Sequence, residues 1–568
     1  MKKAVSFEEK NKFIYMSSAN DSEDLIKELR KDGEFSVFCG HKEEGKFTDV
    51  ETRIIEIIRS IKFPVLAIYE PSYTDGIYRN EYSRYYSEKY FNISKNTKRL
   101  IFVHGEYEEA DFIGNKTEKL KEIESNLIGM IVIKPTKSLG RILLNPAFME
   151  IQPCYLRTAK FEISVGGRIC SFDAFPMSGQ DKEVMTCAEV NVWQIMEYFG
   201  QRYKDYRTMH PGMLLDLIKN RAEVRTLPSR GLTVEQESAL FLEAGLSSEI
   251  YHRYADELEY VNEDGKSFYY RKTVGYNGLS FFEILHFYIE SGIPVLMNFE
   301  NIKGLHEDGH SATCIGHEHI DKAEILRKMR EMPEEDKIVF KVNSLDSERP
   351  EKYNNLIVLK SWSAYKRYVV MEDHSVPYCL KDLADGMKFS SLSKAFKWRI
   401  VSLVVPLHRH VFMKAEDAYK CSLKYIEELF NEGIICPAPD DGDAEIVMRL
   451  YLASSRSLKD FRIQNIEETD PNGLSEWLFY NNIEYPKFLW VCEYSTVPLY
   501  LENKVNGEIV FDATSSEINP IISMRHSGKA YYRAPDENPV TVFKPRSLHL
   551  PENFAAYESR NLKGYNIP

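Results

Sequence analysis

The chain has 568 residues, of which 43% are apolar and 12% aromatic, and its net charge at pH 7 is −13. This length predicts about three domains, and the apolar content is enough for large buried cores. The acidic balance argues against a general nucleic-acid-binding protein, which usually presents a basic face.

The nine cysteines are scattered, and no pair has the C-x-x-C spacing of a zinc or redox motif. This pattern favours reduced thiols over a disulfide framework. The N-terminus lacks the apolar segment of a signal peptide, and no apolar run approaches the roughly 20 residues of a membrane-spanning helix. We therefore expect a cytoplasmic protein without a membrane span. The oligomeric state stays open.

Residues 1–150 are predicted to form an N-terminal α/β domain of unknown role. An isoleucine-rich helical stripe at 54–61 lies among apolar runs of strand length. We expect strands at Phe35–Cys39, Val65–Tyr69, Leu100–Val103 and Met130–Ile133.

A cysteine opens a predicted helix at 187–200, within the second segment, 151–407. Thr186 and Glu189 have the spacing of a capping box, which predicts Thr186 as the N-cap and Cys187 as the first helical residue. The free backbone N–H groups and the helix dipole at that end favour a thiolate. Because the thiolate is the nucleophilic form, Cys187 is a candidate nucleophile. A buried cysteine packed as a small apolar residue is the alternative.

The rest of 151–407 changes from helices to strands, an order typical of an α+β arrangement. Helices are predicted at Pro211–Arg221, Thr233–Ala244 and Phe281–Glu290. Strands are predicted at Ile293–Phe299, His310–Ile315, Ile338–Asn343, Leu356–Leu359 and Tyr368–Met371.

Residues 408–568 are predicted to form a C-terminal α+β domain. We expect a helix at Ala415–Glu432 and a strand at Phe488–Glu493. Two further strands should be joined at Asn506-Gly507, a dipeptide typical of two-residue hairpin turns.

His310 and Asp373 complete a candidate catalytic triad with Cys187. His310 begins one predicted strand, and Asp373 ends another with its carboxylate facing the proposed cleft. Glu372 is disfavoured because strand alternation turns it to the opposite face. Cys187 would attack the substrate, His310 would hold the thiolate as an ion pair and later donate a proton, and Asp373 would orient the imidazole. Gln180 and the backbone N–H of Cys187 would stabilise the developing oxyanion.

The order of Gln180, Cys187, His310 and Asp373 resembles that in the papain-like cysteine peptidases, especially the bacterial branch that cleaves double-glycine leader peptides. Gln180 precedes Cys187 by one residue more than in papain. Gly292–Met297 looks like the strand that precedes the histidine in that branch. A group of uncharacterised bacterial papain-like proteins also resembles this chain at Asp181, Ala188, Trp193, Gly309, Pro377 and Tyr378. The likeness covers mainly 175–380 and implies a papain-like catalytic domain at 151–407.

A zinc-peptidase motif overlaps the same histidine. Residues 306–310 read His-Glu-Asp-Gly-His, the H-E-x-x-H pattern whose histidines bind zinc when a helix presents both on one face. Here Gly304 and Gly309 interrupt a helix and a strand pattern follows. His317 is also one position off the extended spacing that supplies a third ligand. We therefore expect no metal and no other cofactor.

The sequence thus predicts an α+β, papain-like cysteine hydrolase, a peptidase or isopeptidase that cleaves a protein or peptide through an acyl-thioester. Two alternatives stay open: an acyltransferase that uses the same triad, and an inactive scaffold that binds a protein partner. The flanking domains are expected to restrict access to the cleft or select the substrate without supplying triad residues. The identity of the substrate is not predicted.

Overall fold

The computed structural model describes residues 11–40, 46–113, 117–181, 183–184, 186–213, 231–255, 258–261, 267–270, 272–302, 309–341, 355–389, 397–435, 444–516, 520–533, 548–558 and 562–567. These residues form a mixed α+β protein built on three large sheets. Within the described ranges, no helix combines the length and apolar character needed to cross a membrane.

The first sheet has six strands in the order β1-β2-β3-β4-β5-β9. Its elements and those that lead to the second sheet are β1 (Lys12–Met16), α1 (Ser22–Leu29), α2 (Gly33–Cys39), α3 (Asp49–Arg59), β2 (Val65–Tyr73), α4 (Gly76–Arg84), β3 (Thr97–His104), α5 (Thr117–Ser125), β4 (Leu127–Lys134), β5 (Ser138–Leu144), β6 (Cys154–Leu156), β7 (Ala159–Val165), β8 (Arg168–Ala174) and β9 (Met177–Ser178). All neighbouring strands of this sheet are antiparallel. The N-terminal region is therefore α+β and not the α/β unit predicted.

The strand predicted at Phe35–Cys39 was wrong, since these residues lie in α2. The side chain of Asp32 accepts a hydrogen bond from the backbone N–H of Glu34 and caps this helix. Its buried residues, Phe35, Phe38 and Cys39, follow the helical i, i+3, i+4 spacing, which a short apolar run does not distinguish from a strand.

The second sheet has the strand order β10-β19-β13-β14-β17-β18, and β6 also pairs with β14. The elements of this region are α6 (Cys187–Arg202), α7 (Val234–Glu243), β10 (Leu246–His252), β11 (Leu258–Val261), β12 (Ser267–Tyr270), α8 (Phe281–Glu290), β13 (Val295–Asn301), β14 (Gly309–Glu318), α9 (Lys322–Arg330), β15 (Ile338–Lys341), β16 (Asn355–Lys360), β17 (Arg367–Met371), β18 (Cys379–Asp382) and β19 (Trp398–His408). The helix predictions at 233–244 and 281–290 are confirmed. Most of the helix predicted at Pro211–Arg221 lies outside the described residues.

The third sheet has the order β15-β16-β20-β21-β23-β24-β25-β26, and β16 and β20 are parallel. Its remaining elements are α10 (Ala415–Asn431), β20 (Ala444–Ser454), α11 (Ser455–Gln464), α12 (Gly473–Asn482), β21 (Phe488–Thr496), α13 (Val497–Leu501), β22 (Lys504–Val505), β23 (Gly507–Asp512), β24 (Ile521–His526), β25 (Lys529–Tyr532), β26 (Leu548–His549), β27 (Phe554–Ala555) and β28 (Lys563–Tyr565).

Asn506-Gly507 does not form the predicted hairpin turn. β22 pairs with β27, while β23 pairs with β21 and β24. Gly507 serves packing instead, because a Cβ atom there would lie 2.0 Å from the ring of Tyr494. The two-residue turn is at Ser527-Gly528 between β24 and β25, where both residues have positive φ, 40° and 82°.

The three sheets cross the predicted boundaries at 150 and 407. β9 completes the first sheet, β15 and β16 belong to the third, and β28 pairs with β6 beside the second. One apolar core contains residues of both β4 and α6. The flanking regions therefore share sheets and apolar cores with the central segment and do not form appendages to it.

Candidate active site

Cys187 is the first residue of α6, as the capping pattern predicted. Thr186 is the N-cap in extended conformation, and the carboxylate of Glu189 accepts a hydrogen bond from its backbone N–H at 3.0 Å. Downstream residues of the helix, including Val190 and Trp193, are buried. Because burial and capping both fix this helix end, the half-buried Cys187 thiol has a defined position at the positive end of the helix dipole.

His310 is the second residue of β14, and its ring lies in hydrogen-bonding contact with the Cys187 side chain. Its Nε2 atom lies 3.4 Å from Oε2 of Glu372. Burial opposes the positive charge of the ring, but the contacts with Cys187 and Glu372 outweigh burial and raise the pKa of His310 to about 10. The imidazolium is therefore the favoured form at neutral pH.

Glu372, and not the predicted Asp373, is the carboxylate against His310. Cys314 of β14 pairs with Val370 of β17, and residues opposite each other in paired strands share a face. His310 lies four residues from Cys314, and Glu372 lies two residues from Val370. The side chains of His310 and Glu372 therefore lie on the same face of the sheet, whereas the side chain of Asp373 leaves the backbone toward the opposite face.

Asp373 is close to this pair but interacts with another histidine. β17 ends at Met371, and the chain turns, so that Oδ1 of Asp373 lies 3.0 Å from Nδ1 of His374. The carboxylates of Asp373 and then Glu372 raise the pKa of His374 to about 9. Burial opposes the charge of Glu372, but His310 and His374 hold the pKa of its carboxyl well below the usual range.

Asn191 joins the helix of the cysteine to the strand of the histidine. Its Nδ2 donates to the carbonyl oxygens of Cys187 at 2.7 Å and Ser311 at 2.9 Å, and its Oδ1 accepts from the Thr313 hydroxyl at 2.7 Å. The sequence motifs did not single out Asn191. The available signal was a polar side chain one turn after Cys187 in an otherwise apolar helical stripe.

A buried polar chain continues from this junction to α7. The Ser311 hydroxyl donates to Asn298, and Asn298 donates to a carboxyl oxygen of Glu237 at 2.7 Å. Burial raises the pKa of Glu237 to about 8, so its carboxyl is largely neutral at pH 7. The chain fixes β13, β14 and α7 relative to α6.

Aromatic rings surround His310. Its ring centroid lies 4.8 Å from that of Phe389, 5.4 Å from that of Trp398 and 6.4 Å from that of Phe299. Only 6% of His310 is exposed. These rings limit the positions that the imidazole can adopt and exclude water from most of its surface.

Arg53 of α3 also reaches this region, from the first sheet's half of the molecule. Its Nη2 donates to the backbone carbonyl of Glu372 at 3.5 Å. Burial lowers the pKa of its guanidinium, and the charges of Glu372 and Asp373 partly offset that effect. No local pattern predicts this contact, because 319 residues separate the two positions.

Gln180 lies two residues after β9, half-buried, on the segment that leads to α6. The neighbouring Asp181 anchors this segment, since its Oδ1 accepts hydrogen bonds from the backbone N–H groups of Glu183 and Val184. None of the described contacts of His310 or Glu372 involves Gln180, so its role as an oxyanion donor stays a prediction.

The first two residues of the H-E-x-x-H pattern, His306 and Glu307, lie outside the described residues. His310 lies on a strand and not on a helix. Among the described residues, the side chains near His310 that could bind a metal are instead those of Glu372, Asp373 and His374. One potential ligand atom from each of these four residues lies within 4.8 Å of the other three.

No known protein family, curated protein or solved structure matches this chain. The site combines a thiol at a helix start, a buried imidazole in contact with the thiol, and a buried carboxylate beside Nε2 of the imidazole. These are the components of nucleophilic catalysis by cysteine.

Proposed function

We propose that this protein is a papain-like, cysteine-dependent hydrolase, a peptidase or isopeptidase, in which Cys187, His310 and Glu372 act together. The observation that carries the proposal is the contact of the Cys187 side chain with a buried histidine whose Nε2 faces a buried carboxylate. A carboxylate in this position holds the ring orientation and favours the imidazolium that pairs with a thiolate.

In the proposed reaction, the Cys187 sulfur forms a bond to the carbonyl carbon of an amide. The C–N bond then breaks, and the leaving amine takes a proton from His310. Water then attacks the carbonyl carbon of the resulting thioester, and His310 accepts a proton from that water. The C–S bond breaks, which releases the carboxylic acid and regenerates the Cys187 thiolate beside the imidazolium. The backbone N–H at the start of α6 supports the oxyanion, since it lies at the positive end of the helix dipole.

Profiling of cleavage products tests this proposal. A proteome-derived peptide library is incubated with wild type, Cys187→Ala and Cys379→Ala, and new N-termini are labelled and identified by mass spectrometry. Cys379 is a matched control because it is also half-buried. We expect the same products with wild type and Cys379→Ala and none with Cys187→Ala. Products that persist in Cys187→Ala would contradict the proposal.

The same experiment with added hydroxylamine separates hydrolysis from acyl transfer. Hydroxylamine intercepts an acyl-thioester as a hydroxamate. Hydroxamates that depend on Cys187 support the intermediate. Transfer to an added amine in preference to water would favour the acyltransferase.

A further inference from the structure

Two histidines and two carboxylates converge at the proposed triad, and two of these four residues, His310 and Glu372, are members of it. Oε2 of Glu372 lies 3.4 Å from Nε2 of His310 and 3.4 Å from Nδ1 of His374. Oδ1 of Asp373 lies 3.0 Å from Nδ1 of His374. The four ligand atoms lie within 4.8 Å of one another.

Several of these buried atoms have charged neighbours but no hydrogen bond of good geometry among the described residues. Nε2 of His310, Oε1 of Glu372 and Oδ1 of Asp373 make no well-aligned hydrogen bond within the described part of the chain. The exposed fractions of the three side chains are 6%, 0% and 7%. Buried polar atoms without a partner are costly and call for an explanation, and an ion is one of the usual ones.

The separations of the atoms fit a small transition metal ion. Ligands about 2.0–2.1 Å from a zinc ion in a tetrahedron lie about 3.3–3.4 Å apart. The three short distances, 3.0–3.4 Å, are close to that edge length. Imidazoles favour zinc and related metals over calcium, which prefers oxygen ligands at longer distances.

Charge and position also suit such an ion. Two carboxylates balance a divalent charge when both imidazoles are neutral. Arg53 lies nearby, but its described hydrogen bond goes to the backbone carbonyl of Glu372 and leaves the carboxylates to the site. His374 is 47% exposed, which gives the ion a route from solvent.

We propose that His310, Glu372, Asp373 and His374 form a binding site for a divalent transition metal ion such as Zn²⁺. The ligand atoms are Nε2 of His310, Nδ1 of His374 and one oxygen of each carboxylate. This site is distinct from the H-E-x-x-H pattern, of which it uses only His310. It does not rest on the proposed hydrolase, although an ion on Nε2 of His310 would replace the contact of that atom with Glu372.

Titration of the full-length protein with Co²⁺ and Zn²⁺ tests the site. Visible absorption of bound Co²⁺ reports the coordination, and calorimetry with Zn²⁺ reports stoichiometry and affinity. We expect one equivalent of each metal in wild type. Affinity should fall at least about tenfold in His374→Ala and in Asp373→Asn, since loss of even supporting groups around a metal costs about 10–100-fold.

Two control variants sharpen the result. His252→Ala removes an exposed histidine on β10 and should leave binding unchanged. Cys187→Ala should also bind normally, so the metal site and the hydrolase can fail independently. Circular dichroism shows whether each variant is folded.

Absence of saturable binding in wild type would overturn the site. Equal affinity in folded Asp373→Asn and His374→Ala would do so as well. A strong thiolate-to-cobalt charge-transfer band that disappears in Cys187→Ala would show that the thiol is a ligand and that the proposed ligand set is wrong.

Discussion

β14 carries two buried histidines, His310 near its start and His317 near its end, and each contacts a glutamate. Nε2 of His317 lies 3.1 Å from Oε2 of Glu290, a distance similar to that between His310 and Glu372. A cavity of about 740 Å³ lies beside His317 and not beside His310. Judged by the contact with a carboxylate and by cavity volume alone, the His317 end would be the better candidate for an active site.

The two histidines differ in the hydrogen bonds that their ring nitrogens make. Nδ1 of His317 is paired with the carbonyl oxygen of Glu318 at 2.8 Å, and Glu290 also accepts from Arg449 at 2.8 Å. His310 instead contacts a thiol at a helix start and keeps Nε2 without a well-aligned hydrogen bond among the described residues. A fully paired histidine suits a structural role, whereas His310 retains the capacity to transfer protons.

The largest expected effect is on thiol chemistry. Among the nine cysteines, Cys187 should react first with limiting iodoacetamide near neutral pH, because of its helix-start position and its contact with His310. Burial raises the pKa of Cys39, Cys154, Cys314 and Cys492, which disfavours their reaction. Peptide mapping by mass spectrometry measures the order of labelling. If Cys379 or another thiol is labelled first, the nucleophile has been misassigned.

Alanine substitutions at the two histidines of β14 should have opposite effects on the reactivity of Cys187 and on stability. His310→Ala should slow alkylation of Cys187 on the order of 10²-fold, the low end of general-base effects, with a modest change in stability. His317→Ala should leave the alkylation rate unchanged. It should lower the free energy of unfolding by about 1–3 kcal/mol, because the Glu318 carbonyl and the Glu290 carboxylate each lose a buried hydrogen-bond partner. Alkylation kinetics and urea unfolding measure both. Equal loss of Cys187 reactivity in the two variants would remove the distinction.

Substitutions at the two adjacent carboxylates, Glu372 and Asp373, should differ less in their effect on the alkylation rate of Cys187. Glu372→Gln should slow alkylation roughly tenfold, equivalent to about 1.4 kcal/mol of lost charge interaction, while Asp373→Asn should have little effect. The contact with Cys187 and the charged carboxylate of Glu372 together raise the pKa of His310 to about 10, so a neutral group at position 372 should move the upper inflection of the alkylation rate to lower pH. The pH profiles of the two variants decide between the carboxylates. A shift in Asp373→Asn alone would restore Asp373 as the orienting group.

Asn191→Ala should have a weaker effect on reactivity and a clear one on stability. It removes the hydrogen bonds between α6 and β14, which should cost about 1–3 kcal/mol because buried partners are left unpaired. Alkylation of Cys187 should slow by a few-fold as the thiol and imidazole lose their alignment. Urea unfolding and the alkylation rate, measured on the same preparations, test this. Unchanged values for both would show that Asn191 does not align the site.

The smallest effect is expected from chelation. EDTA should not reduce alkylation of Cys187 or peptide cleavage, because the proposed reaction uses no metal. Assays before and after dialysis against EDTA measure this. Loss of cleavage on dialysis and its recovery with Zn²⁺ would favour a metal-dependent hydrolase.

Local sequence signals determined the position of the candidate nucleophile. The start of α6 at Cys187 follows from the Thr186 and Glu189 pair and an apolar helical stripe, all within one segment. The strand that carries His310 and the helix Phe281–Glu290 were also predictable, since hydrophobic periodicity and caps are local properties. The mixed α+β class follows from the same patterns.

Only the tertiary structure decided which groups meet. Alternation along β17 separates Glu372 from Asp373, but the face that lies beside His310 depends on the pairing of Cys314 with Val370. A shift of one residue in that register exchanges the two faces. Arg53 and Asn191 join the site through contacts between distant segments, and Gly507 is required by the ring of Tyr494. These features depend on the packing of elements far apart in the chain, to which periodicity and capping patterns are insensitive.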